Sequence, residues 1–445
     1  MIALEKFLFS VFLFLLPFNI KKFLLSAAAR GPLTELNALF LYLSDILLVL
    51  ILALWLARSW RQLDFTFTKK KILGYSLGIL IVFAIVSCFN TQNVSLSFYR
   101  ILHLCLGIFL FFYIKANFTK LFDQNKILSI FTLSGVIQAF ISLGQYLKQS
   151  SLGIKFLGES VLGKEIAGVA KIDFWGDKMI RAYGTFSHPN ILAAFLLLCF
   201  CATILLIIRM GRDNNHAQKN KIWLLVLGLV IIILGIFLTF SRTILCLSIV
   251  AAIASFLYLY FHNLKFSISR LKLNRLLFLI MACFLGFSLI FWPQLSGRFQ
   301  INPDEQALSL RIFYNQIAYQ MIKKTPLIGV GIGNFIHQFE NLMPKLEIWQ
   351  YQPVHNIYLL IFSEIGIFGL IAFLTALFLI FKHCLKSKVY SLELIIFGII
   401  GFAFLLIGVT DHFFFTINQG ILMFWLTLGI MSSKVSLVPK NEKSQ

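Results

Sequence analysis

The sequence predicts an all-α polytopic membrane protein, and three observations lead there. Apolar runs of roughly 17–25 residues, long enough as helix to cross a hydrocarbon core about 30 Å thick, recur from end to end. Of the 445 residues, 59% are hydrophobic and only 13% charged, about half the charged share of a soluble globular chain. The runs are continuous rather than alternating, which excludes a transmembrane β-barrel.

About twelve spans are expected, near 5–20, 37–57, 73–90, 98–114, 127–146, 189–208, 222–240, 243–261, 276–292, 356–381, 392–410 and 413–432. The first run has no small-residue cleavage site directly after it and reads as a retained span. Basic residues gather in alternate loops: Arg58, Arg61 and Lys69 to Lys71; Lys115, Lys120 and Lys126; Arg209, Arg212, Lys219 and Lys221; Lys265, Arg270, Lys272 and Arg275; Lys382, Lys386 and Lys388; and Lys434, Lys440 and Lys443. The positive-inside rule makes these loops and both termini cytoplasmic. Lys21, Lys22 and Arg30 run against that topology. Residues 1–445 read as a single transmembrane domain without internal repeats.

The formal net charge of +21 does not point to nucleic acid, because the basic residues form short clusters between spans and no soluble basic domain carries them. Cys88, Cys105, Cys199, Cys201, Cys246, Cys283 and Cys384 lie in or beside apolar runs without CxxC spacing, so neither disulfides nor a metal site are expected.

Two long polar stretches, about 147–187 and 293–355, fall on the exoplasmic (periplasmic) side, and the second forms a large helical insert between spans 9 and 10. Asn302 before Pro303, Asp304 and Glu305 reads as a helix start. Leu310, Phe313, Tyr314, Ile317 and Met321 recur at helical spacing up to Lys323, Lys324 and Pro326. The GVGIG run at 329–333 has no preceding strand, so it reads as a turn into a second helix capped by Asn334, not as a nucleotide loop.

The polar residues near exoplasmic span ends are the candidates for chemistry. Arg242, in TFSRTIL, sits in a tight hinge between spans; it is either a snorkelling interfacial arginine or an anion clamp. Arg181 and His188 lie in RAYGTFSHPN, where a helix cap is the plainer reading. Arg311 falls early on the amphipathic helix and could simply be solvated. His355 ends the insert, in QPVHNIYLL, and can titrate near neutral pH, which suits a proton acceptor. His337 reads as solvated, and Glu364, Asp45 and Asp411 as partners for arginines. DxD, HExxH, GxSxG and P-loop motifs are absent. Several exoplasmic arginines plus one histidine suit a lipid-linked diphosphate substrate with neither metal nor cofactor.

RAYGTFSHPN, TFSRTILCL, SLRIFYNQIAYQMIKKTPLIGVGIGNF, HNIYLLIFSEIG and DHFFFTINQG together resemble the O-antigen ligase and O-antigen polymerase superfamily, and the resemblance covers most of the chain. His355 and Gly366 match its His, ten residues, Gly pattern. The resemblance implies a helical, GT-C-like glycosyltransferase fold and a polyprenyl (undecaprenyl) diphosphate-linked glycan donor. It implies His355 as the catalytic histidine, and Arg242 and Arg311, with Arg181 beside them, for the donor diphosphate; Asp411, His188 and Gly366 are supporting positions. The acceptor would be lipid A core for a ligase, or another lipid-linked glycan for a polymerase. Cys246 stands where the ligase pattern has leucine. A flippase or transporter of lipid-linked glycan is the alternative from a different class; it would call for ionisable groups near the membrane midplane and repeated halves.

Overall fold

The computed structural model describes residues 1–27, 34–59, 72–174, 177–211, 216–261, 269–299, 306–386 and 392–433. The expected helix start at 302–305 lies outside the described residues, as do Arg30, Arg61, Lys69 to Lys71, Arg212, Lys265, Lys388, Lys434, Lys440 and Lys443.

Each expected apolar run coils into helix over most of its length. In chain order the elements are α1 (Ile2–Leu15), β1 (Lys21–Ser26), β2 (Ala38–Tyr42), α2 (Leu43–Ser59), α3 (Ile72–Val86), α4 (Val94–Leu121) and α5 (Gln124–Lys148). There follow β3 (Lys171–Phe174), β4 (Asp177–Ile180), α6 (Pro189–Met210), α7 (His216–Leu238), α8 (Arg242–Phe261), α9 (Arg270–Ile290) and α10 (Trp292–Phe299). The chain continues through α11 (Gln306–Lys324), α12 (Phe335–Leu342), α13 (Ile357–Lys386), α14 (Leu392–Thr410), α15 (Phe413–Thr416) and α16 (Asn418–Met431).

Among the described residues nine helices are long and apolar enough to cross a membrane, not the twelve expected. α1 has 14 residues, α2 has 17 and α16 has 14. The reason is local. Part of the expected second span, Ala38–Tyr42, is instead a strand paired antiparallel with β1, and the last expected span is interrupted at Ile417, whose extended backbone separates α15 from α16. A second antiparallel hairpin joins β3 to β4.

α6 is the pillar of the bundle. It is apolar on every face, as a helix enclosed by protein must be, and its apolar stretch is buried throughout between α5, α7, α8 and α14. The insert has its own small core. Tyr314, Ile317 and Met321 of α11 pack with Phe335 and Phe339 of α12, with Leu310 and Phe313 partly buried beside them. The apolar face read from the sequence is thus the one that is buried.

The loop before α12 is locked onto α13. Val330 and Gly331 donate from their backbones to the carbonyls of Ser363 and Glu364, and Ile367 N–H donates to the Pro326 carbonyl. Gly366 kinks α13 with φ +81°, and a Cβ there would meet the Leu327 carbonyl oxygen at 2.1 Å. Only glycine fits both the angle and the contact.

At the other end of the bundle charges pair off. Glu5 of α1 is fully buried and receives two 3.0 Å bonds from Arg58 of α2, which also donates to Asn117 of α4. Arg209 of α6 bridges Gln124 and Glu393.

Candidate active site

The site is assembled at the head of α6. Pro189 takes the first helical position, where its missing N–H costs nothing, and His188 caps the helix by accepting the Asn190 N–H on Nδ1 at 3.2 Å. The residues leading in, 181–186, are held from α5: Gln145 Oε1 accepts the N–H groups of Tyr183 (3.0 Å) and Gly184 (2.9 Å), and Gln138 Oε1 accepts that of Thr185 (3.0 Å). This fixes Arg181, which is buried. Its Nε donates to the Thr239 carbonyl and its Nη2 to Asn190 Oδ1, both at 2.7 Å.

Asn190 passes the contact on. Its Nδ2 donates to Asp411 Oδ2 at 2.7 Å, while Asp411 Oδ1 accepts the His412 N–H at 2.8 Å. Asp411 is thus joined to Arg181 through an amide. It is not the direct arginine partner expected from the sequence. Glu364 and Asp45 differ from expectation as well. Glu364 accepts N–H bonds from Gly333 and Phe335 at the head of α12, and so supplies the cap that Asn334 does not, because the Asn334 side chain binds Asn93 and Ser97. Asp45 pairs with His103 (3.1 Å) and Asn418 (2.9 Å). His337 is not simply solvated: its Nε2 contacts the Ala27 carbonyl at 2.7 Å.

His355 stands before α13. Its Nδ1 is 3.1 Å from the Pro353 carbonyl, which can only accept, so Nδ1 carries the proton and the neutral ring presents Nε2 as a lone pair. The ring lies 5.6 Å from that of Tyr314 and 5.1 Å from that of His412. Burial lowers the His355 pKa; the Asp411 carboxylate works against that, and Arg311 adds to it. Burial likewise lowers His188, and brings His412 to about 3. For Asp411, burial alone would raise the pKa, but the facing histidines and the Asn190 bond outweigh it and bring it to about 2. The carboxylate is therefore charged at neutral pH among histidines that are not.

Five of the residues singled out from the sequence, Arg181, His188, Arg311, His355 and Asp411, thus interact in one electrostatic group. Arg242 opens α8 three residues beyond the Thr239 carbonyl that receives Arg181, so it joins this end of the bundle through the Thr239–Ser241 turn, in which Phe240 has φ 47°. Gly366 stays outside the group and serves the loop that carries α12. Sequence reading missed His412, Asn190 and Arg100. Arg100, a charge inside the α4 span, was a visible signal; its guanidinium donates to the carbonyls of Glu35 (2.8 Å) and Thr416.

Among the described residues no His, Cys, Asp or Glu side chains are grouped to hold a metal ion. The seven cysteines are free thiols.

No curated protein matches the chain. Residues 227–374, about a third of the chain, match the family described as O-antigen ligase; they run from α7 into α13 and include Arg242, Arg311, His355 and Gly366, whereas Arg181, His188 and Asp411 lie outside them. That segment therefore resembles the O-antigen ligase family and supports a membrane protein of the O-antigen ligase or polymerase type.

Proposed function

We propose that the protein is a glycosyltransferase of the bacterial inner membrane, both termini cytoplasmic. It would move a glycan from polyprenyl (undecaprenyl) diphosphate to a sugar hydroxyl on the exoplasmic face. The observation that carries this reading is His355, whose Nδ1–H is held by the Pro353 carbonyl so that Nε2 is ready to accept a proton. The acceptor hydroxyl attacks the anomeric carbon and loses its proton to His355, while the bond to the diphosphate breaks and its electron pair leaves with the phosphate oxygen. Asp411 offsets the imidazolium. Arg311, Arg181 and Arg242 stabilise the charge that grows on the leaving diphosphate, a task suited to the fixed fork of a guanidinium. A diphosphate leaves as an anion without protonation, so arginines replace a second acid.

Ligase action, with lipid A core as acceptor, is the preferred assignment; polymerase action differs only in using another lipid-linked glycan. The test is purified protein in detergent with a polyprenyl-diphosphate-linked glycan and acceptor, with EDTA present. Transfer without a sealed compartment supports the reading. Movement of the donor across vesicles with no transfer overturns it in favour of a flippase. In a deletion strain, accumulated long polymer on the lipid carrier marks a ligase and accumulated single repeats a polymerase.

A further inference from the structure

His412 has no part in the reaction as described above, yet it is fixed as closely as His355. Its Nδ1 lies 2.7 Å from Thr416 Oγ1, and that hydroxyl donates its own proton to the His412 carbonyl at 3.2 Å. With that proton on the carbonyl the hydroxyl accepts from Nδ1–H, and the neutral ring of this tautomer presents Nε2 as a lone pair. In these tautomers His355 and His412 offer the same nitrogen, unprotonated, from neighbouring rings whose centroids lie 5.1 Å apart.

The four-residue α15 that sets this ring is itself anchored. Arg100 is 8% exposed, and its guanidinium donates to the Thr416 carbonyl and to the Glu35 carbonyl. Among the described residues no carboxylate lies within ion-pair distance of it. A buried cation without an ion pair is costly, and here its contacts hold the turn that orients His412. The charged and titratable groups facing His412 are Asp411 beside it, His355 at the head of α13, His188 at the head of α6 and Arg100 from α4.

We infer that His412 relays the proton which His355 takes from the acceptor hydroxyl, and that Arg100, acting through Thr416, is its positioning residue. This rests on the transferase reading above. The hydroxyl O–H breaks as its oxygen bonds the anomeric carbon; the proton goes to His355 Nε2, passes to His412 Nε2 beside Asp411, and leaves to solvent water. His355 is then neutral for the next acceptor.

The experiment compares wild type with His412→Gln, Thr416→Val, Arg100→Lys and His355→Ala, as full-length protein in detergent, at saturating donor and in mixtures of light and heavy water. In wild type the rate should fall along a bowed curve with deuterium fraction, because two protons move. His412→Gln should lower kcat about tenfold to hundredfold, at the low end of what positioned acid–base groups contribute, leave the donor KM unchanged, and make the curve linear. Thr416→Val and Arg100→Lys should lower kcat less. Full activity or a curve still bowed in His412→Gln overturns the relay and leaves the transferase reading standing, whereas transfer by His355→Ala overturns that reading itself. If His412→Gln does not fold, Thr416→Val decides alone: unchanged kcat and curvature overturn the proposal.

Discussion

The two ends of the helix bundle handle charge in opposite ways. At one end two arginines meet acids: Arg58 meets the fully buried Glu5, and Arg209 meets Glu393. At the other, Arg181 is held by a carbonyl and an amide oxygen, and Asp411 is the carboxylate among three histidines. Paired charges neutralise one another and tie helices together. Asp411, joined to Arg181 through Asn190, keeps a field that acts on the histidines around it. The second arrangement costs more to desolvate, and it is what distinguishes this site from a clasp.

The strongest way to break this comparison is His355→Ala, expected to lower transfer about a thousandfold or more at unchanged protein level; transfer and membrane abundance measured together check it. Arg311→Ala and Arg181→Ala should each cost about a hundredfold in kcat, with Arg311→Lys recovering part, since charge survives but the fork does not.

pH sharpens it further. Asp411 raises the His355 pKa and Arg311 lowers it. Asp411→Asn should therefore move the acid limb of the rate profile to lower pH, and Arg311→Gln should move it to higher pH. Equal shifts in one direction would contradict the charge assignment. His188 and His412 are held neutral in the fold and protonate more readily when unfolded, so stability should fall as pH drops below about 6.5, the ordinary histidine value; thermal unfolding between pH 8 and 5 reads this. The smallest effect on transfer belongs to the clasp. Arg58→Ala should leave kcat unchanged while lowering stability by about 2 kcal/mol, because Glu5 stays buried without its partner.

The apolar helices were legible because hydropathy is a local property. His188, His355 and Asp411 were legible because each borders an apolar run, and Arg181 and Arg311 because they stand in the polar stretches between spans. What stayed hidden depends on shape. His412 was hidden in the shadow of Asp411, since only the short turn through Thr416 faces its ring toward His355. Glu364 looked like an arginine partner because nothing in its sequence neighbourhood reveals that α12 begins against it. The strand Ala38–Tyr42 passed for the start of a span because a short apolar strand and a helical turn have the same composition.

The burial of α6 has a consequence for how the protein sits in lipid. Helices on the outside of a bundle, such as α3 and α9, whose apolar stretches are mostly exposed, adjust their tilt when bilayer thickness changes. α6 touches protein along its whole apolar length, so the height of His188 and its neighbours is set by the helices around it. Transfer rates should therefore hold across bilayers of different acyl length, with the outer helices absorbing the mismatch.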